Sequence, residues 1–133
     1  MKPKIDLISV ITDDLEGVTE FYKNVLGFQI QLQLEQYVEF LSETVRFALT
    51  TRSVMKEATK HQSYSEGRHG QSFELAFVLE SPEEVDIVYD DIIKKGAVPI
   101  KKPENMPWNQ RTAFFADPDG NIHELFADLK KKV

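Results

Sequence analysis

The sequence predicts an α+β fold in which two βαβββ modules repeat within a single domain of 133 residues. Each half shows an apolar strand pattern, then a helical pattern, then three more strand patterns. The helices match each other, because Val18 and Tyr22 align with Val85 and Tyr89 at one constant offset. A module with one helix covers only one face of its sheet. The two uncovered faces should therefore share a surface, and the space between them is either core or cleft.

The first module is predicted at about residues 4–51. A β-branched apolar run at 5–11 predicts its first strand, and Asp14 belongs to a short polar segment that offers an N-cap for the helix. Apolar residues at helical spacing extend this helix to Gly27, which is predicted to end it. Three further strands are predicted, at 28–34, 37–41 and 45–50.

The segment at 52–70 is polar and irregular in pattern, and we expect it to be a linker or a lid. It contains His61 and His69. Histidines in such a segment usually belong to a solvated loop. The alternative is that they reach the predicted cavity as substitute ligands.

The second module is predicted at about residues 71–128. A strand pattern at 73–79 is followed by Ser81 and Pro82, which suit a helix cap and a first helical turn. The helix is predicted to end at Gly96. Strands are then predicted at 97–101, 111–116 and 121–127, with a basic, solubilising tail at 130–132.

Composition excludes several kinds of protein. The net charge of −6 argues against a nucleic-acid-binding surface, and the absence of cysteine excludes disulfides, thiolate nucleophiles and cysteine-based zinc sites. No apolar run reaches membrane-spanning length, and no signal-peptide pattern follows Met1. We therefore predict a cytoplasmic protein whose partner is a small molecule, with no nucleic acid and no membrane.

The most informative stretch is the turn predicted at 117–121, Asp-Pro-Asp-Gly-Asn, which joins the last two strands. In the returning strand, Ile122, Glu124 and Phe126 share one face, whereas His123 lies on the other and is expected to pack under a helix. Glu124 thus lies between two apolar neighbours. A carboxylate in that position is paired, desolvated with a raised pKa, or bound to a ligand.

The repeat predicts which residues lie near Glu124. At the constant offset Leu7 corresponds to Glu74, and matching the last strands of the modules puts Phe47 opposite Glu124, with Leu49 as its same-face neighbour. The four positions should converge, and two of them are carboxylates. Glu74 has the alternative of being a strand-start residue in solvent. The predicted cavity face is otherwise mostly apolar: Leu7, Ser9, Phe47, Leu49, Ala76, Val78, Ile122 and Phe126.

Two further residues near the seventh strand are candidates for ligand binding. Trp108, the only tryptophan, is either a stacking platform for a flat or cationic ligand or a core plug. Arg111 follows it and is a predicted ligand-binding residue. Its alternative role, shared with Arg46, is to pair with Glu124.

These motifs together resemble the vicinal oxygen chelate superfamily, which includes glyoxalase I, ring-cleaving dioxygenases and bleomycin-resistance proteins. The resemblance runs from Leu7 through Phe21-Tyr22 and Leu26-Gly27-Phe28 to the turn at 117–121 and Glu124-Leu125. It implies two sheets that curve together around a central cleft, and a homodimer.

Metalloenzymes of that superfamily take ligands from four symmetry-related positions. The resemblance puts these on Leu7, Phe47 (or Leu49), Glu74 and Glu124, and the first two cannot bind a metal. It therefore implies a metal-independent member with no cofactor, closest in character to bleomycin-resistance proteins. A weakly bound Mg²⁺ or Mn²⁺ on Glu74 and Glu124 is the alternative.

Three functions stay open on the sequence. The preferred one is binding of a small aromatic or cationic organic molecule in the cleft. The second is a lyase, isomerase or dioxygenase in which Glu124 or Glu74 is the general base or a weak metal ligand. The third is an interaction module whose cavity is filled.

Overall fold

The computed structural model describes residues 1–130, so the tail residues at 131 and 132 lie outside the described part. The chain forms two compact units, the first ending at His69 and the second beginning at Gly70. Each contains one four-stranded sheet with a helix packed on it. The predicted α+β fold of two βαβββ modules is confirmed.

The first unit has the strand order β1-β4-β3-β2, in which β1 and β4 are parallel and the other pairs are antiparallel. Its elements are β1 (Leu7–Thr12), α1 (Leu15–Glu20), β2 (Ile30–Leu34), β3 (Tyr37–Phe40), β4 (Arg46–Thr51) and α2 (Arg52–Thr59).

The second unit repeats this arrangement in the order β5-β8-β7-β6, again with one parallel pair, β5 and β8. Its elements are β5 (Ala76–Val78), α3 (Pro82–Lys94), β6 (Val98–Met106), β7 (Gln110–Ala116) and β8 (Ile122–Asp128).

The helix starts follow from the capping residues. The Asp14 carboxylate accepts the N–H of Gly17 at the start of α1, and the Ser81 hydroxyl accepts the N–H of Glu84 at the start of α3. A π-helical turn at Phe21–Val25 continues α1. The chain then passes through Gly27 at φ +85°, a conformation that glycine adopts without strain.

The segment that we expected to be irregular contains α2 and a short 3-10 helix at Gln62–Ser65. Thr51 caps α2 by accepting the N–H of Val54, and Lys60 ends it with a left-handed backbone at φ +60°. None of the residues of α2 is buried. The helix is stabilised by its caps and by contact with β4, and its eight residues are too few for periodicity to predict it reliably from the sequence.

The core of the first unit lies between its sheet and α1. The ring of Phe47 is 5.2 Å from the rings of both Tyr22 and Phe28 and 5.6 Å from that of Phe40. Leu49 is fully buried on the same side of β4. The prediction that Phe47 and Leu49 lie on the uncovered face is therefore wrong, because both are core residues.

The physical reason is an error of one residue in matching the two halves. Ser9 pairs with Ala48 in the first unit, and Ala76 pairs with Glu124 in the second. Because Ser9 and Ala76 are equivalent, the counterpart of Glu124 is Ala48 and not Phe47. A shift of one residue along a strand moves every side chain to the opposite face.

The core of the second unit lies between its sheet and α3. The inward residues of β8 are His123, Leu125 and Ala127, all buried, as the alternation along the strand predicts. His123 is in contact with the ring of Phe115, with 5.8 Å between centroids. Within residues 1–130, the helices are all too short or too polar to cross a membrane.

Candidate functional site

The candidate site is on the face of the second sheet that points away from α3, which we call the distal face. It consists of Ile122, Glu124 and Phe126 of β8, their cross-strand partners Ala116, Phe114 and Thr112 of β7, and Ala76 and Val78 of β5. Its exposure is uneven, since Val78 is 70% exposed, Thr112 is buried and Glu124 is half-buried.

The turn between β7 and β8 determines where Glu124 lies. The buried Asp117 carboxylate accepts the N–H groups of Asp119 (3.0 Å) and Asn121 (2.9 Å), and also the Asn121 side-chain amide (2.8 Å). Gly120 has φ +87°, and its N–H donates to the Asp117 carbonyl. The predicted turn is thus a rigid, internally bonded loop, and β8 begins directly after it at Ile122.

Glu74 and Glu124 meet at this face. A hydrogen bond between the two carboxyl groups is one of the influences on the pKa of Glu124. Burial raises the pKa of Glu124 above its ordinary value, and the nearby charge of Glu74 together with the shared hydrogen bond raises it further. Glu74 is exposed, but it is not isolated in solvent.

Neither arginine proposed as a partner of Glu124 is paired with it. Arg111 points toward α3, where its guanidinium donates to the Asp86 carboxylate at 2.9 Å and to Asn105. Arg46 donates to Asp6 and Glu39. Arg111 is therefore absent from the distal face that carries Glu124, and its predicted role in ligand binding finds no support in its position.

Trp108 is at the tip of the β6–β7 hairpin and is 57% exposed. It is thus not a core plug. Glu124 pairs with Phe114, and the hairpin end of β7 at Gln110 is four strand positions away, roughly 13 Å. Trp108 consequently lies well separated from the two carboxylates along the sheet.

The remaining predicted ligand-binding residues divide between the units. Ile122 and Phe126 lie on the distal face beside Glu124, as predicted from the period of β8. Leu7 is half-buried and lies opposite Arg46 on the uncovered side of the first sheet.

A second acidic residue on an uncovered sheet face was not identified from the sequence. Glu39 is 4% exposed, and its carboxylate accepts hydrogen bonds from Tyr37 (2.7 Å) and Arg46 (2.9 Å). Burial, and secondarily the bond to Glu39, raises the pKa of Tyr37. The available signal was a glutamate between apolar residues in a strand pattern, Tyr37-Val38-Glu39-Phe40. Glu39 differs from Glu124 because its charge is neutralised by an arginine.

A family model covers residues 4–125 of this chain, that of the glyoxalase/bleomycin resistance protein/dioxygenase superfamily. The chain belongs to this superfamily. The resemblance inferred from the sequence motifs is thereby confirmed.

Individual members of the superfamily are similar over almost the whole chain. The protein YraH of Bacillus subtilis (strain 168) is 34% identical over 130 residues, covering 95% of this chain and 99% of YraH. A glyoxalase/bleomycin resistance protein/dioxygenase from Nocardioides has a TM-score of 0.89 at 30% identity, covering 99% of this chain and 87% of its own. A family enzyme from Burkholderia phytofirmans PsJN has a TM-score of 0.86 at 22% identity, covering 96% and 100%.

The residues at the positions that the sequence resemblance assigns to metal ligands do not form a donor set for a transition metal. The positions equivalent to Glu74 and Glu124 in the first unit are Leu7 and Ala48, neither of which can ligate a metal. Among residues 1–130 there is no group of three or more His, Cys, Asp or Glu side chains placed to bind one ion. His61 is used in capping, since its Nδ1 accepts the N–H of Ser63. Two carboxylates alone do not fit a tight transition-metal site.

Proposed function

We propose that this protein binds a small organic cation, with an aromatic or other apolar body, at the Glu74–Glu124 pair, and that binding does not depend on a metal. The observation that supports the proposal best is that the backbone bond between Leu75 and Glu124 brings the neighbouring Glu74 to Glu124 on a partly apolar face. The apolar residues of the distal face around the pair are the expected location of the ligand body.

Electrostatics favours a cation over a neutral or anionic ligand. Two neighbouring carboxylates repel each other when both are ionised, and the charge of Glu74 is one reason that the pKa of Glu124 is raised. A positive group placed against the pair removes that repulsion. Partial burial of Glu124 strengthens the attraction, because the effective dielectric constant there is lower than in water.

The neighbouring side chains suit the apolar part of such a ligand. Phe114 lies directly opposite Glu124, and Ile122 and Phe126 flank it along β8. Phenylalanine faces attract organic cations as well as apolar groups.

The proposal is tested with two probes of one shape and different charge, benzylammonium and benzyl alcohol. In ¹H–¹³C NMR titrations at pH 7.5, benzylammonium is expected to shift the signals of Glu124, Ile122 and Phe126 in a saturable manner. Benzyl alcohol should bind at least about tenfold more weakly, a difference of 1.4 kcal/mol.

Substitutions locate the effect. Glu124→Gln and Glu74→Gln should each weaken benzylammonium binding, whereas Glu43→Gln, a change at an exposed acid of the first unit, should not. Equal affinity for the charged and uncharged probes, or unchanged affinity in both site variants, would refute the proposal. So would the absence of saturable shifts from any member of a panel of aromatic ammonium compounds.

Catalysis by the same pair is the second candidate, and the raised pKa of Glu124 is the observation that favours it. An acid with such a pKa is a better general base near neutral pH than an ordinary glutamate. A lyase or isomerase reaction would use Glu124 to remove a proton from a carbon next to a carbonyl group. Solvent deuterium exchange into a panel of 2-oxo compounds, lost in Glu124→Gln, would indicate this activity.

A further inference from the structure

We propose that His123 is a positioning residue: its ring nitrogen holds the backbone just before β5, and this keeps Glu74 beside Glu124. The inference concerns the geometry of the pair, and only its consequence for ligand binding rests on the proposed function.

The hydrogen bonds around Leu75 provide the first argument. The N–H of Leu75 donates to Nδ1 of His123 (3.1 Å), and the carbonyl of Leu75 accepts the N–H of Glu124 (2.9 Å). Both backbone polar groups of the residue next to Glu74 are thus bonded to two consecutive residues of β8. A rotation of the chain at Glu74 would break at least one of these bonds.

The second argument comes from the parallel strand pairing, which spans fewer residues in the second unit (β5–β8) than in the first (β1–β4). In the first unit the parallel pairing extends back to Leu7, the counterpart of Glu74, whereas in the second it begins only at Ala76. In place of the missing backbone pairs, two side chains form hydrogen bonds to the backbone in this region. One is His123. The other is Gln71, whose side chain accepts the N–H of Ile122 and donates to the carbonyl of Gly120, both at 2.9 Å. Along the chain, Glu74 lies between Gln71 and Leu75, the two residues held by these hydrogen bonds.

The internal repeat indicates which part of the His123 side chain matters. Ile8 pairs with Phe47 in the first unit, and the equivalent pair in the second is Leu75 with His123. A phenylalanine therefore satisfies the packing at this position in a closely similar aromatic core. What histidine adds is a ring nitrogen that can accept a hydrogen bond, and it occurs in the unit that contains the carboxylate pair.

The ring has one orientation that satisfies its surroundings. His123 is fully buried, and the rings of Phe73, Phe77 and Phe115 lie within 6.3 Å of it, centroid to centroid. Since Nδ1 accepts the Leu75 N–H, it carries no proton itself, and the ring proton is on Nε2. That nitrogen is 3.8 Å from the Asp117 carboxylate of the turn. The imidazole thus connects the turn, β8 and the entry to β5.

The test compares His123→Phe with His123→Asn in the absence of any ligand. Phenylalanine retains the ring and removes the acceptor, whereas the asparagine oxygen occupies the place of Nδ1. We expect His123→Phe to fold, to accelerate hydrogen exchange at the Leu75 amide and to lower the pKa of Glu124, read from its side-chain ¹³C signal. His123→Asn should leave the pKa of Glu124 closer to that of the unaltered protein.

A double-variant cycle separates positioning from a direct effect of the imidazole on Glu124. In a Glu74→Gln background, His123→Phe should no longer move the pKa of Glu124, because the effect acts through Glu74. An unchanged pKa of Glu124 in folded His123→Phe, or an equal shift with and without Glu74, would overturn the inference. Should His123→Phe fail to fold, the ¹⁵N–¹⁵N coupling between the Leu75 amide and Nδ1 in the unaltered protein decides, and its absence contradicts the inference.

These outcomes are independent of ligand binding. If benzylammonium does not bind but the pKa of Glu124 responds to His123→Phe as expected, the proposed function fails and the positioning role stands. If benzylammonium binds equally well to His123→Phe and to the unaltered protein, the claim that this positioning matters for ligand binding is overturned.

Discussion

At the scale of single residues, the raised pKa of Glu124 links protein stability to pH. The pKa is raised in the folded state relative to the value of 4.5 for an unperturbed glutamate, so the folded protein retains this proton to higher pH than the unfolded chain does. Stability must therefore fall as pH rises from the ordinary pKa through the raised one. Below the ordinary pKa, Glu124 is protonated in both the folded and the unfolded state, so the energetic cost of ionising it in the folded protein is absent.

Glu124→Gln is accordingly expected to increase the free energy of unfolding at pH 7 and to have little effect at about pH 3.5. Glutamine has nearly the shape of the protonated acid and cannot ionise. Urea denaturation at the two pH values measures the difference. The matched change Glu43→Gln, at an exposed acid, should show no such dependence, and a loss of stability in Glu124→Gln at pH 7 only would contradict the assignment.

The placement of Phe47 gives a second prediction at this scale. Phe47→Ala removes a ring that contacts three other aromatic rings in the core of the first unit, and it should reduce the free energy of unfolding by about 3–5 kcal/mol. Leu34→Ala, at a residue 55% exposed on β2, should change it by less than about 0.5 kcal/mol. Chemical denaturation of both variants provides the measurement. A small effect at Phe47 would restore the original prediction that it faces a cavity.

At the scale of elements, the β7–β8 turn is the most strongly determined part of the site. Asp117→Ala removes the buried acceptor of two turn N–H groups and of the Asn121 amide, and we expect it to cost about 2–3 kcal/mol of stability. It should also lower the pKa of Glu124, since β8 would no longer begin in a fixed position. Thermal unfolding measures the change in stability, and ¹³C NMR measures the pKa of Glu124. Asp119→Ala, at the exposed part of the turn, is the control. Equal effects of the two substitutions would contradict the specific role of Asp117.

Most elements were predictable because their sequence signals are local. The caps at Asp14 and Ser81, the glycine at 27 and the turn at 117–121 each fix their own backbone. α2 was not predicted, because it buries no residue and its cap at Thr51 lies at the end of a strand pattern. Short helices of this kind depend on tertiary contacts that periodicity does not reveal.

The site was predicted only in part, and for a related reason. Glu124 and its neighbours on β8 follow from the period of two along one strand. The positions of Phe47 and Arg111 depend on register between strands and on a bond to α3, which a single strand does not encode. The fastening of Glu74 by His123 required the hydrogen bonds themselves, since the alternation of β8 predicted only that His123 would be buried.

At the scale of the whole molecule, two equivalent units have acquired different chemistry. Where the second unit has Glu74 and Glu124, the first has Leu7 and Ala48. The buried acid of the first unit, Glu39, is paired with Arg46, whereas Glu124 of the second unit lies near the like charge of Glu74, which raises its pKa. The two halves of this superfamily scaffold thus carry different residues at equivalent positions, and only the second half places two acids there.

The most direct test of this account is the pKa of Glu124 measured by ¹³C NMR with and without benzylammonium. We predict a pKa above the ordinary glutamate value in the free protein, and a lower one when the cation is present, because a positive charge beside the pair favours its ionised form. An ordinary pKa in the free protein, or a raised one that the cation leaves unchanged, would contradict the central claim that Glu74 and Glu124 form a cation-binding pair.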